Sequence, residues 1–293
     1  MSTEIYYFSG TGNSLHVAKE LQKRIPETNL IPIVSLLNKD VIETNGETVG
    51  FIFPIHGMTV PIPVKKFIKK LDLKSTKYIF AIATRDSTKH RAFTEIDKIL
   101  KKSGKSLISY FTLNMASNDP KFEDWHPPTK EKIAKLEFEV QNKLDSIQKI
   151  IINKESSREK DSNIIIPVNF AVERLVLLGM AYAEYNGAKD YFYSDSKCTG
   201  CGTCEKVCLS GKIKMIYNKP VWQENVKSYI CYACLNYCPV QAVQIKSKIY
   251  MKSYTEENER YPHPYATAKE IAGQKDGSYS KELKAKAKTY HMK

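Results

Sequence analysis

The residues best suited to chemistry in this chain are its seven cysteines. They follow the spacing C-x2-C-x2-C-x3-C twice, with the second copy displaced by 30 positions and its first cysteine replaced by serine. In chain order the eight positions are Cys198, Cys201, Cys204, Cys208, Ser228, Cys231, Cys234 and Cys238. Thiolates at this spacing are typical of iron–sulfur clusters, so the pattern predicts two such clusters.

The two runs are expected to share ligands. In proteins with two such runs, the fourth cysteine of one run ligates the cluster of the other. This predicts a cluster A on Cys198, Cys201, Cys204 and Cys238, and a cluster B on Cys208, Cys231, Cys234 and Ser228. A hydroxyl gives up its proton less readily than a thiol. Three outcomes therefore stay open for cluster B: a [4Fe–4S] cluster with an atypical fourth ligand, which we favour, a [3Fe–4S] cluster, or a site completed by water or another side chain.

Two other uses of the cysteines are less favoured. Disulfides require an oxidising compartment, and the opening MSTEIYYFSG lacks the basic and apolar stretches of a secretory signal. Zinc sites usually pair two separate C-x2-C units rather than adding a third cysteine two residues on. We expect a cytoplasmic protein with iron–sulfur clusters.

A second motif, S-G-T-G-N-S, lies between an apolar run and an amphipathic segment. Its residues are Ser9, Gly10, Thr11, Gly12, Asn13 and Ser14. A loop between a strand and a helix N-terminus directs N–H groups and the helix dipole at an anion. It has no lysine, as a triphosphate loop would, and Leu15 stands where a dinucleotide loop has its third glycine. Neutral donors of this kind suit the single phosphate of FMN.

The first 150 residues alternate between short apolar runs and helical patterns. Strands are predicted at Glu4–Phe8, Leu30–Val34, Thr48–Phe53, Tyr78–Ala83 and Leu107–Leu113. Helices are predicted at Gly12–Arg24, Val64–Leu71, Arg91–Lys102 and Thr129–Asn153. This alternation predicts an α/β fold with a doubly wound, five-stranded parallel sheet.

In a sheet of order 2-1-3-4-5, the flavin lies at the carboxyl ends of the strands. The loops expected there contain Pro54, Ile55, His56, Gly57 and Met58, then Thr84, Arg85, Asp86 and Ser87, then Ser117 and Asn118. For His56 we favour loop packing over proton relay. Arg85 either stabilises a negatively charged reduced flavin or is an exposed loop residue. Trp125 and Trp222 are interpreted as packing residues.

Composition changes divide the chain into four parts. We predict an FMN domain at 1–155, a helical linker at 156–188, a small α+β two-cluster domain at 189–251 and a polar tail at 252–293. The apolar stretch Ile164–Tyr185, with a possible break near Pro167, contains charged residues and predicts no membrane span. The net charge is +13, but only six of the 45 basic residues are arginine, so nucleic acid is not an expected partner.

Four segments together resemble a known family. FSGTGNS, FPIHGMTVPIPV, the paired cysteine runs and ERYPHPYATAKEI are similar to flavodoxin/ferredoxin fusion proteins of anaerobic bacteria and archaea. The resemblance implies a flavodoxin-like domain and a ferredoxin-like domain that bind FMN and two [4Fe–4S] clusters and pass electrons between them. The chain departs from the family at Ser228, where a cysteine is usual, and at Leu209, where a proline often follows the run.

The expected function is conversion between one- and two-electron carriers. Partners would be redox proteins such as acidic ferredoxins or a low-potential oxidoreductase, and a homo-oligomer is possible. The alternatives are a reductase with a small substrate at the flavin and, less favoured, a redox-sensing binding module. Neither has a visible sequence motif.

Overall fold

The computed structural model describes residues 2–120, 125–159, 170–189, 191–246 and 258–278. The N-terminal half forms a parallel sheet with the strand order β2-β1-β4-β6-β7. Its strands are β1 (Thr3–Tyr7), β2 (Thr28–Pro32), β4 (Thr48–Pro54), β6 (Tyr78–Arg85) and β7 (Ser109–Asn114). Counting these five strands in chain order gives 2-1-3-4-5, the flavodoxin-like doubly wound topology. The predicted fold class is confirmed.

Continuous burial explains the central strands. Every residue of β6 is buried, and so is β4 except for Pro54 at its end. Parallel strands covered on both faces need such uninterrupted apolar runs. The helices are α1 (Asn13–Arg24), α2 (Ile62–Ile68), α3 (Ala92–Leu100) and α4 (Lys130–Ile152), with α1 packed against α4 and α2 against α3. A further short pair of strands joins β3 (Ile42–Glu43) to β5 (Leu71–Asp72).

Prolines account for two differences between the predicted and observed boundaries. Strand β2 ends at Pro32 and is followed by a 3-10 helix at Ile33–Leu36, whereas the prediction continued the strand to Val34. Helix α2 begins at Ile62, before the predicted start, because Pro63 is well suited to the first turn of a helix.

A separate helix, α5 (Phe170–Tyr185), confirms part of the predicted apolar helix, whereas 164–169 lie outside the described residues. One side of α5 faces the sheet domain, where Glu173 is buried and pairs with Arg91. Leu175, Leu178 and Tyr182 are exposed. Among the described residues, no helix combines the length and apolar composition that a membrane crossing requires.

The cysteine region repeats its backbone conformation as well as its sequence. Its elements are β8 (Phe192–Ser194), α6 (Thr203–Val207), β9 (Ile213–Ile216), β10 (Lys219–Trp222), α7 (Ala233–Asn236) and β11 (Val243–Ile245). Positive φ angles occur at three pairs of positions that are 30 residues apart: Gly200 and Ile230, Gly202 and Tyr232, and Gly211 and Gln241. The second copy therefore retains the left-handed turns although it has lost the glycines that adopt them most easily.

The described part of the C-terminal region, residues 258–278, is called the C-terminal strap below. It contains the short helix α8 (Ala268–Ala272), which begins with a capping box between Thr267 and Glu270. His263, Ile271 and Gln274 of the strap are buried. His263 and Gln274 bond to the backbones of Thr11 and Ser9, and α8 packs against α6 of the cysteine region. The sequence predicted a polar tail here, and this packing was not among its predictions.

Replacement of Gly50 by alanine tests the packing of the sheet. A Cβ atom at Gly50 would lie 2.1 Å from Cζ of Phe80 on the neighbouring strand. We expect Gly50→Ala to lower the free energy of unfolding by roughly 1 to 3 kcal/mol, because overpacking displaces a buried ring. Denaturant unfolding measures the change.

Gly179→Ala is the matched control. Gly179 lies on α5, and outside its own helix backbone and chain neighbours no described heavy atom lies within 4 Å of the added Cβ. Alanine there should be neutral or stabilising by up to about 1 kcal/mol, because it favours the helix. Equal effects of the two substitutions would contradict the close approach of the Phe80 ring to Gly50.

Candidate functional site

Two glycines allow the loop at residues 9–14 to lie against other parts of the chain. A Cβ atom at Gly10 would lie 2.1 Å from the carbonyl oxygen of Cys231. At Gly12 it would lie 2.7 Å from the Cβ atoms of both His263 and Ala266, and φ is +110°. Larger residues would therefore separate loop 9–14 from the second cysteine run and from the C-terminal strap.

Hydrogen bonds join this loop to the loops that follow two other strands. Ser14 Oγ lies 2.8 Å from Thr84 Oγ1 at the end of β6. Asn13 Nδ2 donates to the carbonyl of Ala116 at 3.0 Å, and Asn118 Nδ2 donates to Thr11 Oγ1. The structure thus brings three of the four predicted loops together at the carboxyl edge of the sheet.

The donors and acceptors of loop 9–14 fit a phosphate with an attached polyol. The backbone N–H groups of Gly10, Thr11, Asn13 and Ser14 make no hydrogen bond to the described residues. Asn13 Oδ1 is buried and has no partner among the same residues. The first turn of α1 carries no acidic side chain. Free N–H groups at a helix N-terminus attract an anion, and the buried oxygen of Asn13 would accept a hydroxyl.

A cavity of about 300 Å³ lies beside the turn after β4 and is called the His56 cavity. Its lining combines the chain after β4, helix α5 and the second cysteine run, and includes His56, Ile62, Met180, Glu184 and Tyr229. The rings of His56 and Tyr229 lie 6.0 and 6.2 Å from the ring of Phe8, which directly follows β1.

A tight turn presents His56 to this cavity. The backbones of His56 and Thr59 exchange hydrogen bonds of 3.2 and 3.0 Å, and Gly57 and Met58 between them have positive φ. Met180 of α5 covers the turn, because a Cβ atom at Gly57 would lie 2.4 Å from its Cγ. Pro54 and Ile55 lead into the turn, as the sequence predicted. Whether His56 relays protons stays a prediction.

The structure decides against one of the two alternatives for Arg85, the last residue of β6. Arg85 is 7% exposed, so it is not an exposed loop residue. Its guanidinium donates to Asn114 Oδ1 and to the carbonyl of Thr88, each at 3.1 Å. Asp86 is exposed and Ser87 half-buried. These bonds fix Arg85 at the end of the sheet.

The loop after β7 contains the remaining predicted positions. Ser117 Oγ accepts a hydrogen bond of 3.2 Å from the indole of Trp125. Asn118, already bonded to Thr11, accepts at its carbonyl from Asn236 Nδ2 at 3.2 Å. Trp125, interpreted from the sequence as a packing residue, therefore bonds to a residue of a predicted flavin loop.

The cysteines and Ser228 have two sets of close neighbours. Cys208, Cys231, Cys234 and Ser228 line one small cavity, called the Ser228 cavity. Burial and then the nearby Cys238, Cys198 and Cys201 raise the pKa of the Cys204 thiol to about 11. These neighbours correspond to the proposed ligand sets of clusters B and A.

The spacing of the thiols does not match a site for a single ion. Among the described residues, which include all seven cysteines, the cysteines do not appear in any group of three ligands close enough to hold one metal ion. Thiols set around a multinuclear cluster are further apart than those around one zinc ion. Thiols are the donors that iron–sulfur clusters use, and the residues present fit such clusters.

Ser228 and a buried lysine distinguish the Ser228 cavity. Ser228 is 9% exposed, and its hydroxyl accepts the N–H of Ile230 at 3.1 Å. Lys212 also lines the cavity and is 3% exposed, with Nζ donating to the carbonyls of Gln223 and Val226 at 2.8 and 2.6 Å. A buried ammonium group favours negative charge nearby. The sequence analysis did not identify Lys212.

Tyr229 lines both cavities. It directly follows Ser228, and burial raises the pKa of its hydroxyl to about 12. Its ring also contacts Phe8 at the end of β1. Tyr229 is therefore shared by the linings of the Ser228 cavity and the His56 cavity. Apart from its position beside Ser228, no sequence signal marked this residue.

The C-terminal strap covers loop 9–14. Gln274 accepts from the N–H of Ser9 at 3.0 Å and donates to the carbonyl of Ser9 at 2.8 Å. The N–H of His263 donates to the carbonyl of Thr11 at 2.8 Å. Burial and then the adjacent His16 lower the pKa of His263 to about 3. The segment ERYPHPYATAKEI was the available signal, but its contacts were not predictable.

Comparisons with known proteins gave structural neighbours only. No protein-family model matches the chain, and the curated proteins contain no match. A putative flavoprotein from Bacteroides uniformis is 18% identical over 40% of this chain and 92% of its own, with a TM-score of 0.33.

Two flavodoxins give similar values. A flavodoxin from the domain Archaea is 13% identical over 50% of this chain and 99% of its own, with a TM-score of 0.30. The two-electron reduced flavodoxin of Megasphaera elsdenii is 15% identical over 48% and 98%, with a TM-score of 0.31. At these TM-scores the strand order of the sheet, rather than the neighbours, supports the fold assignment.

Proposed function

We propose that this chain is an electron-transfer protein that binds FMN at loop 9–14 and two iron–sulfur clusters at its cysteine runs. The observation that carries the proposal is the shared wall between the two cavities. Tyr229 lines both, and Gly10 of the loop lies against the backbone of Cys231. A flavin and a cluster in these places would be neighbours in one molecule.

Different residues would hold the phosphate, the ribityl chain and the ring system of FMN. Loop 9–14 supplies N–H groups and hydroxyls for the phosphate, and Asn13 Oδ1 supplies an acceptor for the ribityl chain. The ring system would lie towards the His56 cavity. Arg85, fixed by Asn114 and Thr88, adds positive charge at the end of the sheet.

The cysteines would hold [4Fe–4S] cluster A and cluster B in the sets predicted from their spacing. When bound, the clusters exchange single electrons and the flavin exchanges one or two, so together they connect one- and two-electron carriers. The protein contributes burial, fixed spacing and, at cluster B, the ammonium group of Lys212. Lys212 and Ser228 make the surroundings of cluster B unlike those of cluster A.

The surface charge favours acidic redox partners. The chain has 45 basic and 32 acidic residues. A positive surface speeds encounter with negative proteins and loses this effect as salt rises. We therefore propose partners such as acidic ferredoxins or a low-potential oxidoreductase.

A reductase with a small substrate is the second candidate. The His56 cavity favours it, because the ion pair of Lys65 and Glu95, 3.2 Å apart, lies at its wall beside His56. Saturable turnover of a small acceptor by the reduced protein, lost on filling the cavity with Thr59→Trp, would support this candidate over electron transfer alone.

An anaerobic redox titration tests the main proposal. Optical spectra follow the flavin, and electron paramagnetic resonance follows the clusters. We expect one FMN and two clusters for each chain, with the cluster signals separable by potential. A protein reconstituted with iron, sulfide and FMN that shows no flavin transition or no cluster signal would contradict it.

Asn13→Asp tests the phosphate site. The change is nearly isosteric but places negative charge at the start of α1, where the phosphate would bind. We expect the dissociation constant of FMN to rise at least about tenfold, or roughly 1.4 kcal/mol. Fluorescence titration of FMN measures it, and Asn142→Asp on the exposed side of α4 is the control. Equal affinities for both variants would rule out a phosphate at loop 9–14.

Ser228→Cys tests the ligand sets. A thiolate at this position would complete four cysteines around the Ser228 cavity, so the potential or the oxygen stability of one cluster should change while the other stays unchanged. Electron paramagnetic resonance and iron content measure the effect. Ser146→Cys adds a thiol on α4, far along the chain, as a control. If Ser228→Cys behaves like Ser146→Cys, position 228 does not belong to cluster B.

A further inference from the structure

Three side chains from distant parts of the chain meet beside loop 9–14. They are His16 of α1, Glu137 of α4 and His263 of the C-terminal strap. One possible ligand atom of each lies within 4.8 Å of those of the other two. His16 Nε2 is 2.9 and 3.0 Å from the two carboxylate oxygens of Glu137, and the two histidine rings stack with their centroids 4.6 Å apart.

We propose that His16, Glu137 and His263 bind a divalent transition metal ion, separate from the iron–sulfur clusters. Two imidazoles and one carboxylate are a known ligand set for Zn²⁺, and the same set binds non-haem Fe(II). Both histidines are 4% exposed, and the side chain of Glu137 is 21% exposed. This leaves one partly open side for water as a further ligand.

A neighbouring amide holds Glu137 in place. Gln141, one turn further along α4, donates to Oε1 of Glu137. A hydrogen bond of this kind orients a ligating carboxylate, and its loss weakens metal binding.

A simple ion pair accounts for only part of this arrangement. A pair between His16 and Glu137 would need one imidazole. It gives no role to a second buried imidazole that a separate segment of the chain brings against the first. Lys19, on the next turn of α1, pairs with Glu270 at 2.9 Å, and so the nearest lysine already has a carboxylate partner. A shared ion gives all three clustered residues a role.

The position of the site indicates what the ion would do. The N–H of His263 bonds to the carbonyl of Thr11, and Gly12 lies under the His263 side chain. An ion bound here would connect the sheet domain to the strap at the point where the strap covers loop 9–14. Its role would be structural, and it does not depend on whether the loop binds FMN.

Zinc binding by the full-length protein tests the proposal. Wild type, His263→Gln, Glu137→Gln and the control His126→Gln are equilibrated with Zn²⁺, dialysed and analysed by mass spectrometry of their metals. His126 is an exposed histidine outside the cluster. Zinc bound by the cysteines should be equal in all four proteins, so it does not affect the difference in zinc content between them. We expect wild type and control to hold one more zinc ion than the variants, whose affinity should fall at least about 100-fold.

X-ray absorption at the zinc edge keeps the test independent of variant folding. In wild type, the extra zinc should have nitrogen and oxygen ligands at about 2.0–2.2 Å, whereas zinc on thiolates shows sulfur at about 2.3 Å. Equal zinc content in all four folded proteins would overturn the proposal. If the variants do not fold, an edge spectrum of wild type with sulfur ligands alone would overturn it.

Discussion

The structure depends on close backbone approach at loop 9–14. Gly10 lies against the carbonyl of Cys231, Gly12 lies under the side chains of the C-terminal strap, and Ser14 bonds to Thr84. Three segments can meet there only because two positions carry no Cβ atom. The N–H groups of Asn13 and Ser14 are free for a second reason, because the first turn of a helix has no intrahelical acceptors for them. The candidate anion site therefore lies where this packing and the start of α1 coincide.

This contact brings the second cysteine run against the sheet domain. The second cysteine run lies on the carboxyl edge of the sheet, so Tyr229 reaches Phe8 while Ser228 faces the cysteines. Cluster B would thus be the cluster next to the flavin, and the residues unlike those of cluster A, Ser228 and Lys212, lie on that side. Cluster B, the cluster with the unusual neighbours, would therefore be the one that exchanges electrons with the flavin.

Local patterns in the sequence predicted much of this structure. The apolar runs of β4 and β6 and the loop at 9–14 between β1 and α1 follow from periodicity and spacing over short distances. The sharing of ligands between the two cysteine runs stays a prediction. The strap did not follow, because the bond between Gln274 and Ser9 joins residues 265 positions apart and neither residue type signals the other. Arg85 is buried by partners on β7 and its own loop, which spacing along the chain does not encode. Lys212 and Tyr229 were missed for the same reason.

Rapid mixing of the reconstituted protein with a one-electron reductant tests the central claim, that the flavin and the clusters communicate within one molecule. Cluster absorbance and flavin absorbance are followed anaerobically over a wide range of protein concentrations. The shared wall at Tyr229 predicts that flavin reduction follows cluster reduction at a rate independent of protein concentration, because covalent linkage keeps the two sites together. A rate that rises in proportion to protein concentration would show that the two parts act as separate carriers and would contradict the account.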